Sequence, residues 1–199
     1  ETSEKESIDN ILVVKEKGIS LGFLGYYLDS DLDESINTIV EDVERYRNSV
    51  DKLVLSLHWG EENINYPSKK QEIVSKNLID KGVDLIIGHH PHLVQKIETY
   101  RDGLIAFSLG NFVFDKLTRS FRISLILRIN FSKKIYDFVP IYINDKFQPI
   151  PLKGKLSEEV SSYFLSLNKI EKTEKQRNFS LQKNLKIYRN MVFFYFFIN

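Results

Sequence analysis

The sequence predicts an α/β fold, and three observations carry that prediction. Leu53-Val54-Leu55-Ser56-Leu57 and Val83-Asp84-Leu85-Ile86-Ile87 are short apolar runs that read as buried strands. Between them a helical segment opens at Pro67-Ser68 and stops near Lys81-Gly82, where glycine suits a helix C-terminus. Strand, helix, strand over residues 53–87 makes one βαβ unit. Its crossover brings both strand ends to the same edge of a sheet.

The elements before that unit follow from local pattern. Ile11–Val14 and Ile19–Tyr26 are β-rich runs separated by Lys15-Glu16-Lys17-Gly18, which predicts a hairpin turning at Lys17-Gly18. Residues 29–33 form a polar link. Ile36, Ile39, Val40 and Val43 then recur at helical spacing, with Glu41, Asp42, Glu44 and Arg45 on the other face. Asp33 or Ser35 is the candidate cap of this helix.

After Leu93 the texture changes. Residues 93–100, 104–109, 122–131 and 138–143 are strand-like, with Arg101-Asp102-Gly103 as a hairpin turn, so antiparallel pairing is expected. Ser157–Ile170 has Val160, Phe164 and Leu167 on one helical face. Residues 171–178 read as a charged link and 181–188 as a helix. The aromatic run Met191–Ile198, at eight residues, is too short to span a bilayer and reads as a terminal strand or packing segment.

Composition narrows the function classes. The 199 residues carry 28 Lys and Arg against 27 Asp and Glu, a net charge of +1. That balance argues against a nucleic-acid footprint, which needs a basic excess. There is no cysteine, so disulfides, thiolate zinc sites and cysteine nucleophiles are excluded. No stretch approaches the ~18 consecutive apolar residues of a membrane helix. The charged start, Glu1-Thr2-Ser3-Glu4-Lys5-Glu6, lacks Met and has no signal-peptide pattern, so an upstream part is expected to exist or to have been removed.

The chemistry concentrates in histidine. All four histidines fall in two motifs, Leu57-His58-Trp59-Gly60-Glu61-Glu62 and Gly88-His89-His90-Pro91-His92, each directly after a predicted strand. Ligand sites in open α/β sheets lie at the carboxyl ends of strands. The topology therefore gathers up to four imidazoles, which suit zinc, iron, nickel and copper, and manganese where oxygen ligands join them. Gly88 permits a close backbone approach, and Pro91 biases His90 toward an extended conformation, so the loop should be stiff. Glu62 is a candidate to hold a ligand imidazole or to act on a metal-bound water. Trp59 is expected to wall the pocket. Asn111, in Ser108-Leu109-Gly110-Asn111-Phe112, is a candidate to ligate through its carbonyl or to donate to a substrate oxygen. Asp115 is a weaker candidate. Lys116, Arg119 and Arg122 read as a solvated basic patch. No nucleophile elbow of the Gly-x-Ser-x-Gly type and no phosphate-binding glycine loop is present.

These motifs resemble a known family. Leu55–Glu62, Pro67 and Gln71, then Leu78–Gln95 with its Gly88-His89-His90-Pro91-His92, then Ile105–Phe114 are similar to the CapA family of poly-γ-glutamate capsule synthesis proteins, within the calcineurin-like metallophosphoesterase superfamily. Weaker similarity extends the match to roughly residues 11–155. The resemblance implies the C-terminal half of a calcineurin-like α/β/β/α sandwich over residues 1–155, followed by a helical extension over 156–199 with an apolar tail. It implies a two-metal site, with manganese, iron or zinc as the divalent ions, whose bridging hydroxide attacks a phosphorus ester. His58 and His92 correspond to metal ligands. One of His89 and His90 ligates while the other serves substrate or supports a ligand. His58, Glu62 and His90 are the catalytic candidates, and Asn111 and Trp59 the supporting ones.

The superfamily's early aspartate, Gly-Asp and Asn-His motifs have no counterpart here. The expectation is therefore an imidazole half-site that is incomplete and inactive alone. Its partners are the missing half of the domain and the capsule-synthesis machinery, with no nucleic acid and no membrane span in this chain. The parent is expected at the cell envelope, facing outward. The rival expectation is a non-catalytic protein of capsule polymer assembly or export, with a vestigial or structural metal site.

Overall fold

The structure, a computed structural model, describes residues 4–8, 11–28, 32–115 and 121–168. Its strands are β1 (Glu4–Ile8), β2 (Ile11–Glu16), β3 (Ile19–Tyr27), β4 (Lys52–His58), β5 (Leu85–His89), β6 (Ile97–Tyr100), β7 (Gly103–Ala106), β8 (Ile123–Asn130), β9 (Ile135–Ile143) and β10 (Pro149–Pro151). Its helices are α1 (Leu32–Tyr46), α2 (Lys69–Asp80) and α3 (Gly154–Leu167), and a 3-10 turn follows α1 at Arg47–Ser49. The fold class is mixed α/β, as the sequence predicts. The expected features at residues 171–178, 181–188 and 191–198 lie outside the described residues.

The described residues divide into two units. The first draws on Glu1–Pro91 and Ile97–Ser108, and the second on His92–Lys96 and Leu109–Asn199.

The first unit holds a seven-stranded sheet of order β1-β2-β3-β4-β5-β7-β6. Its centre is parallel: β3 with β4, β4 with β5, and β5 with β7. Antiparallel hairpins flank that centre, β1-β2-β3 on one side and β6-β7 on the other. The predicted turn at Lys17-Gly18 exists, with both residues at positive φ (50° and 78°). Two successive left-handed residues match the twist of the strands they join. Strand β1 has no counterpart among the predicted elements, because its Glu-Lys-Glu-Ser core shows no apolar alternation.

Helix α2 starts where the sequence places it. Ser68 accepts a hydrogen bond from the Gln71 backbone, and the Gln71 side chain accepts one from the Ser68 backbone, a complete capping box. Gly82, with φ at 101°, ends the turn after it. Helix α1 begins at Leu32, so Asp33 and Ser35 fall inside its first turn and not before it. The core of this unit joins Ile39 and Val43 of α1 and Leu78 of α2 to Leu53, Leu55 and Leu57 of β4, Ile86 of β5 and Ile105 of β7. Alternation along β4 puts Leu53, Leu55 and Leu57 on the same side, toward that core.

The second unit holds a three-stranded antiparallel sheet, β10-β9-β8, and α3. The β8-β9 hairpin turns through Lys134 at φ 52°. Helix α3 buries Val160, Phe164 and Leu167, the face the spacing predicts. Among the described residues, no helix is long and apolar enough to cross a membrane.

Candidate functional site

The parallel register sets the first-unit site. Along β3, β4 and β5, Tyr27 pairs with His58 and His58 with His89, so three strand ends finish level. The strands are tied just beyond: Leu28 N donates to His58 O at 2.9 Å, and Trp59 N donates to His89 O at 3.0 Å. The His58 and His90 rings lie 4.7 Å apart at 51°. The expected convergence of the two motifs is therefore present for His58, His89 and His90.

The loop after β5 takes a different shape from the predicted one. His90 does not take an ordinary extended conformation. Its φ is 99°, in the left-handed half of conformational space. Proline at 91 excludes the right-handed helical region for His90 but leaves this one open. The bend is held by Asn63 N, which donates to Pro91 O at 3.0 Å. A non-glycine residue at such a φ is strained, and strain of this kind collects at functional sites.

Beneath the loop, Gly88 gives room by lacking a side chain. A Cβ there would come within 1.8 Å of Phe107 O and 2.6 Å of Trp59 Nε1. Trp59 Nε1 donates to Phe107 O at 3.1 Å, and its ring stacks on Phe107 at 6.0 Å and 8°. Trp59 has no exposed surface, so it supports the histidine loop from inside and does not line a pocket. Gly60, at φ 90°, packs against the Gln71 side chain that caps α2. Glu62 is exposed in the loop between β4 and α2.

Burial pushes the His89 imidazole below its ordinary value, and the nearby His58 charge pushes it further the same way. A neutral imidazole is the form that binds metal. His58 and His90 are the two imidazoles whose rings this edge brings together. Among the described residues, no group of three or more His, Cys, Asp or Glu side chains gathers around a common point.

His92 belongs to the second unit and is set by a different device. Its Nδ1 lies 2.8 Å from Asn111 Oδ1. The Asn111 amide is pinned the right way round, because its Nδ2 donates to Phe121 O at 3.2 Å. Asn111 Oδ1 therefore accepts, His92 Nδ1 carries the proton, and Nε2 is the nitrogen with a lone pair in the neutral ring. Asn111 is buried, and Ser124 Oγ donates to its main-chain oxygen. Both ends of the amide are used inside the protein, so it orients His92 instead of reaching a ligand itself. Phe114 and Phe121 flank the His92 ring at 4.9 Å and 6.1 Å. His92 is itself at φ 59°.

The weaker candidates resolve simply. Asp115 is exposed, and Lys116 and Arg119 lie outside the described residues. Arg122 is not part of a solvated patch: it donates to Ile143 O at 2.9 Å and Asn144 O at 2.8 Å and pairs with Asp145 at 3.2 Å. The residue that sequence reasoning missed is Tyr27, whose ring stacks on His58 at 5.1 Å and 23°. The signal that would have found it is the parallel register of β3 on β4, since Tyr26-Tyr27 ends the strand run before α1.

Residues 2–116 match the family described as bacterial capsule synthesis protein PGA_cap. Two relatives align over the same region. The capsule biosynthesis protein CapA of Bacillus anthracis is 41% identical over 116 residues, 56% of this chain and 28% of the relative. The PGA biosynthesis protein CapA of Bacillus subtilis (strain 168) is 34% identical over 114 residues, 56% of this chain and 30% of the relative. The aligned stretch is thus less than a third of the length of these relatives. Among solved structures, a hypothetical protein from Thermus thermophilus superposes with a TM-score of 0.43 at 10% identity, over 72% of this chain and 60% of that one.

Proposed function

The chain belongs to the PGA_cap family of bacterial capsule synthesis proteins, and from that premise we propose that it serves the biosynthesis of a capsular polymer of the poly-γ-glutamate kind. Within that process it supplies the imidazole part of a metal-dependent phosphoesterase-type site at the cell envelope. The observation that carries the reading is the level ending of β4 and β5, which sets His58 opposite His89 and brings the His90 ring to 4.7 Å from His58.

His58 and one of His89 and His90 are the ligands of the first unit, and His92 is the ligand candidate of the second. A manganese, iron or zinc ion held there would act as a Lewis acid and lower the pKa of bound water. The chain's own contribution is orientation and protonation state. Burial favours the neutral form of His89. Asn111 holds the proton of His92 on Nδ1 and directs Nε2 outward from that contact. Glu62, exposed after the His58 turn, is the carboxylate assigned to accept a proton from water. Oxygen ligands come from another segment or another polypeptide of the capsule-synthesis machinery.

The test is metal titration of the 199-residue chain with zinc, manganese and ferrous ions, compared with His58→Ala and His92→Ala. Each substitution should weaken metal affinity by more than about tenfold. Equal metal uptake by all three proteins would overturn the ligand assignment. In the full-length protein, Glu62→Gln should lower hydrolysis of a generic phosphodiester more than it lowers metal content. Bound metal without any turnover in that protein would favour the non-catalytic assembly role.

A further inference from the structure

Gln71 is only 1% exposed, although its side chain ends in an amide. Two hydrogen bonds hold it. Ser68 N donates to its Oε1 at 2.9 Å, and its own backbone N donates to Ser68 Oγ at 3.2 Å. The first bond settles which end of the amide is oxygen. Among the described residues Nε2 has no hydrogen-bond partner, so packing accounts for where that end lies. It packs on Gly60, in the turn that follows His58. A Cβ on Gly60 would come within 2.7 Å of Nε2 and 3.1 Å of both Cδ and Oε1. Gly60 therefore rests on the amide group as a whole and not on one atom of it. Its φ of 90° is open to glycine without strain. The same turn grips the neighbouring strand end at two points. Trp59 N donates to His89 O and Asn63 N to Pro91 O, both at 3.0 Å. The amide is a third hold, applied from the side of α2.

We propose that Gln71 is a positioning residue for the turn from Trp59 to Asn63, which carries Glu62: the capping bonds lock the amide, and the locked amide is the platform on which Gly60 rests. A side chain can place another group only when its own rotamer is fixed. The capping box fixes this one. Glutamate suits the same capping position, but a carboxylate buried this deeply would lose its hydration. Glutamine caps the helix and stays neutral. Order at the start of α2 is thereby passed to the turn after β4. The bearing on a reaction rests on the assignment of Glu62 in the proposed function. The mechanical claim does not, and its test uses neither metal nor substrate, so the two can fail separately.

The test is hydrogen exchange, amide by amide, in the 199-residue wild type, Gln71→Ala and Ser68→Ala. Gln71→Ala removes the platform together with the cap. Ser68→Ala removes the acceptor for Gln71 N but leaves the Ser68 backbone bond to Oε1, and the exposed Ser68 side chain packs on little. In Gln71→Ala the Trp59 and Asn63 N–H groups should exchange about tenfold faster than in wild type, the factor for losing roughly one hydrogen bond's worth of local stability. In Ser68→Ala they should stay within about twofold of wild type, because the turn opens locally and its platform is still present. The Leu55 N–H, in the middle of β4, reports global unfolding in the same samples.

Equal acceleration of the two turn amides in both variants would overturn the proposal, because the cap alone would then hold the turn. Acceleration in Gln71→Ala that only matches the rise at Leu55 would overturn it too, since Gln71 would add stability to the whole unit and place nothing. Unchanged turn amides would do the same. If Gln71→Ala does not fold, Gln71→Met, of similar length but without the amide, takes its place under the same criteria.

Discussion

The two ends of the β4-β5 strand pair are built on opposite plans. At the amino ends, carboxylates meet their partners. Asp84 accepts from Lys52 Nζ at 2.7 Å and from Leu53 N at 2.9 Å, and Arg47 lies 3.6 Å away. Nearby, Asp51 accepts from both the backbone and the hydroxyl of Ser20, which hold its carboxyl below the ordinary carboxylate range. At the carboxyl ends, the same two strands and the loop after them present three imidazoles, His58, His89 and His90. One of these residues is twisted to φ 99°. The amino end is arranged for stability. The carboxyl end carries strain and a desolvated imidazole, as a site poised for a ligand does.

The contrast is broken most severely from beneath the carboxyl end. Gly88→Ala places a Cβ 1.8 Å from Phe107 O, and a backbone oxygen cannot step aside as a side-chain tip can. β5 and the segment after β7 must separate, and the Trp59 hydrogen bond to Phe107 O goes with them. Overpacking by one methyl ordinarily costs about 1–3 kcal/mol, and with backbone on both sides the loss should exceed that range. Denaturant unfolding followed by the fluorescence of Trp59, the single tryptophan of the chain, measures it. A loss under about 1 kcal/mol, the bottom of that range, would show that the loop is supported some other way.

Asp84→Ala attacks the opposite end and should have the next largest effect. It leaves the Leu53 N–H and two half-buried cations without their shared acceptor. About 2–3 kcal/mol of stability should go, chiefly from the partners left unsatisfied. Zinc affinity should stay within about twofold, because the change is a full strand length from the histidines, beyond the reach of direct coupling. A large drop in zinc affinity would merge the two ends into one cooperative device and end the comparison.

What was legible in the sequence follows the same division. The βαβ unit over residues 53–87 was readable because buried parallel strands are apolar runs and Ser68-x-x-Gln71 is a local capping signal. The convergence of His58 with His89 and His90 was readable because crossover topology fixes which strand ends meet. β1 and β10 were not readable: one is charged along its middle, and the other is Pro-Ile-Pro, held by pairing with β9 and not by propensity. The φ of His90 was missed because a pre-proline rule excludes one region without selecting among the others. The place of Tyr27 beside His58 depends on strand register, which no local pattern encodes. Trp59 looked like a pocket wall because it adjoins a candidate ligand, yet alternation along β4 sends the next side chain the other way.

The smallest effect tests the desolvated imidazole itself. Burial first, and the neighbouring His58 charge second, lower the His89 value below the 6.5 of a free imidazole. The sign follows from proton counting. Between the two values the unfolded chain binds the proton and the folded chain does not, so acid favours unfolding there. The contribution of a neutral His89 to stability is complete above about pH 6.5 and is lost as pH falls below it, through the lower folded value. Metal-free wild type should therefore lose more melting temperature between about pH 7.5 and about pH 5.5, either side of that free value, than His89→Gln, which has no proton to take up. The other titrating groups are common to both proteins and cancel in the difference, apart from His58, whose charge is coupled to His89. The amino end moves only much deeper in acid, where Asp51 would have to protonate, so a difference that appears near neutrality belongs to the histidine end. Identical pH profiles for the two proteins would mean that His89 is as well solvated folded as unfolded, and the carboxyl end would lose its claim to hold a neutral imidazole ready.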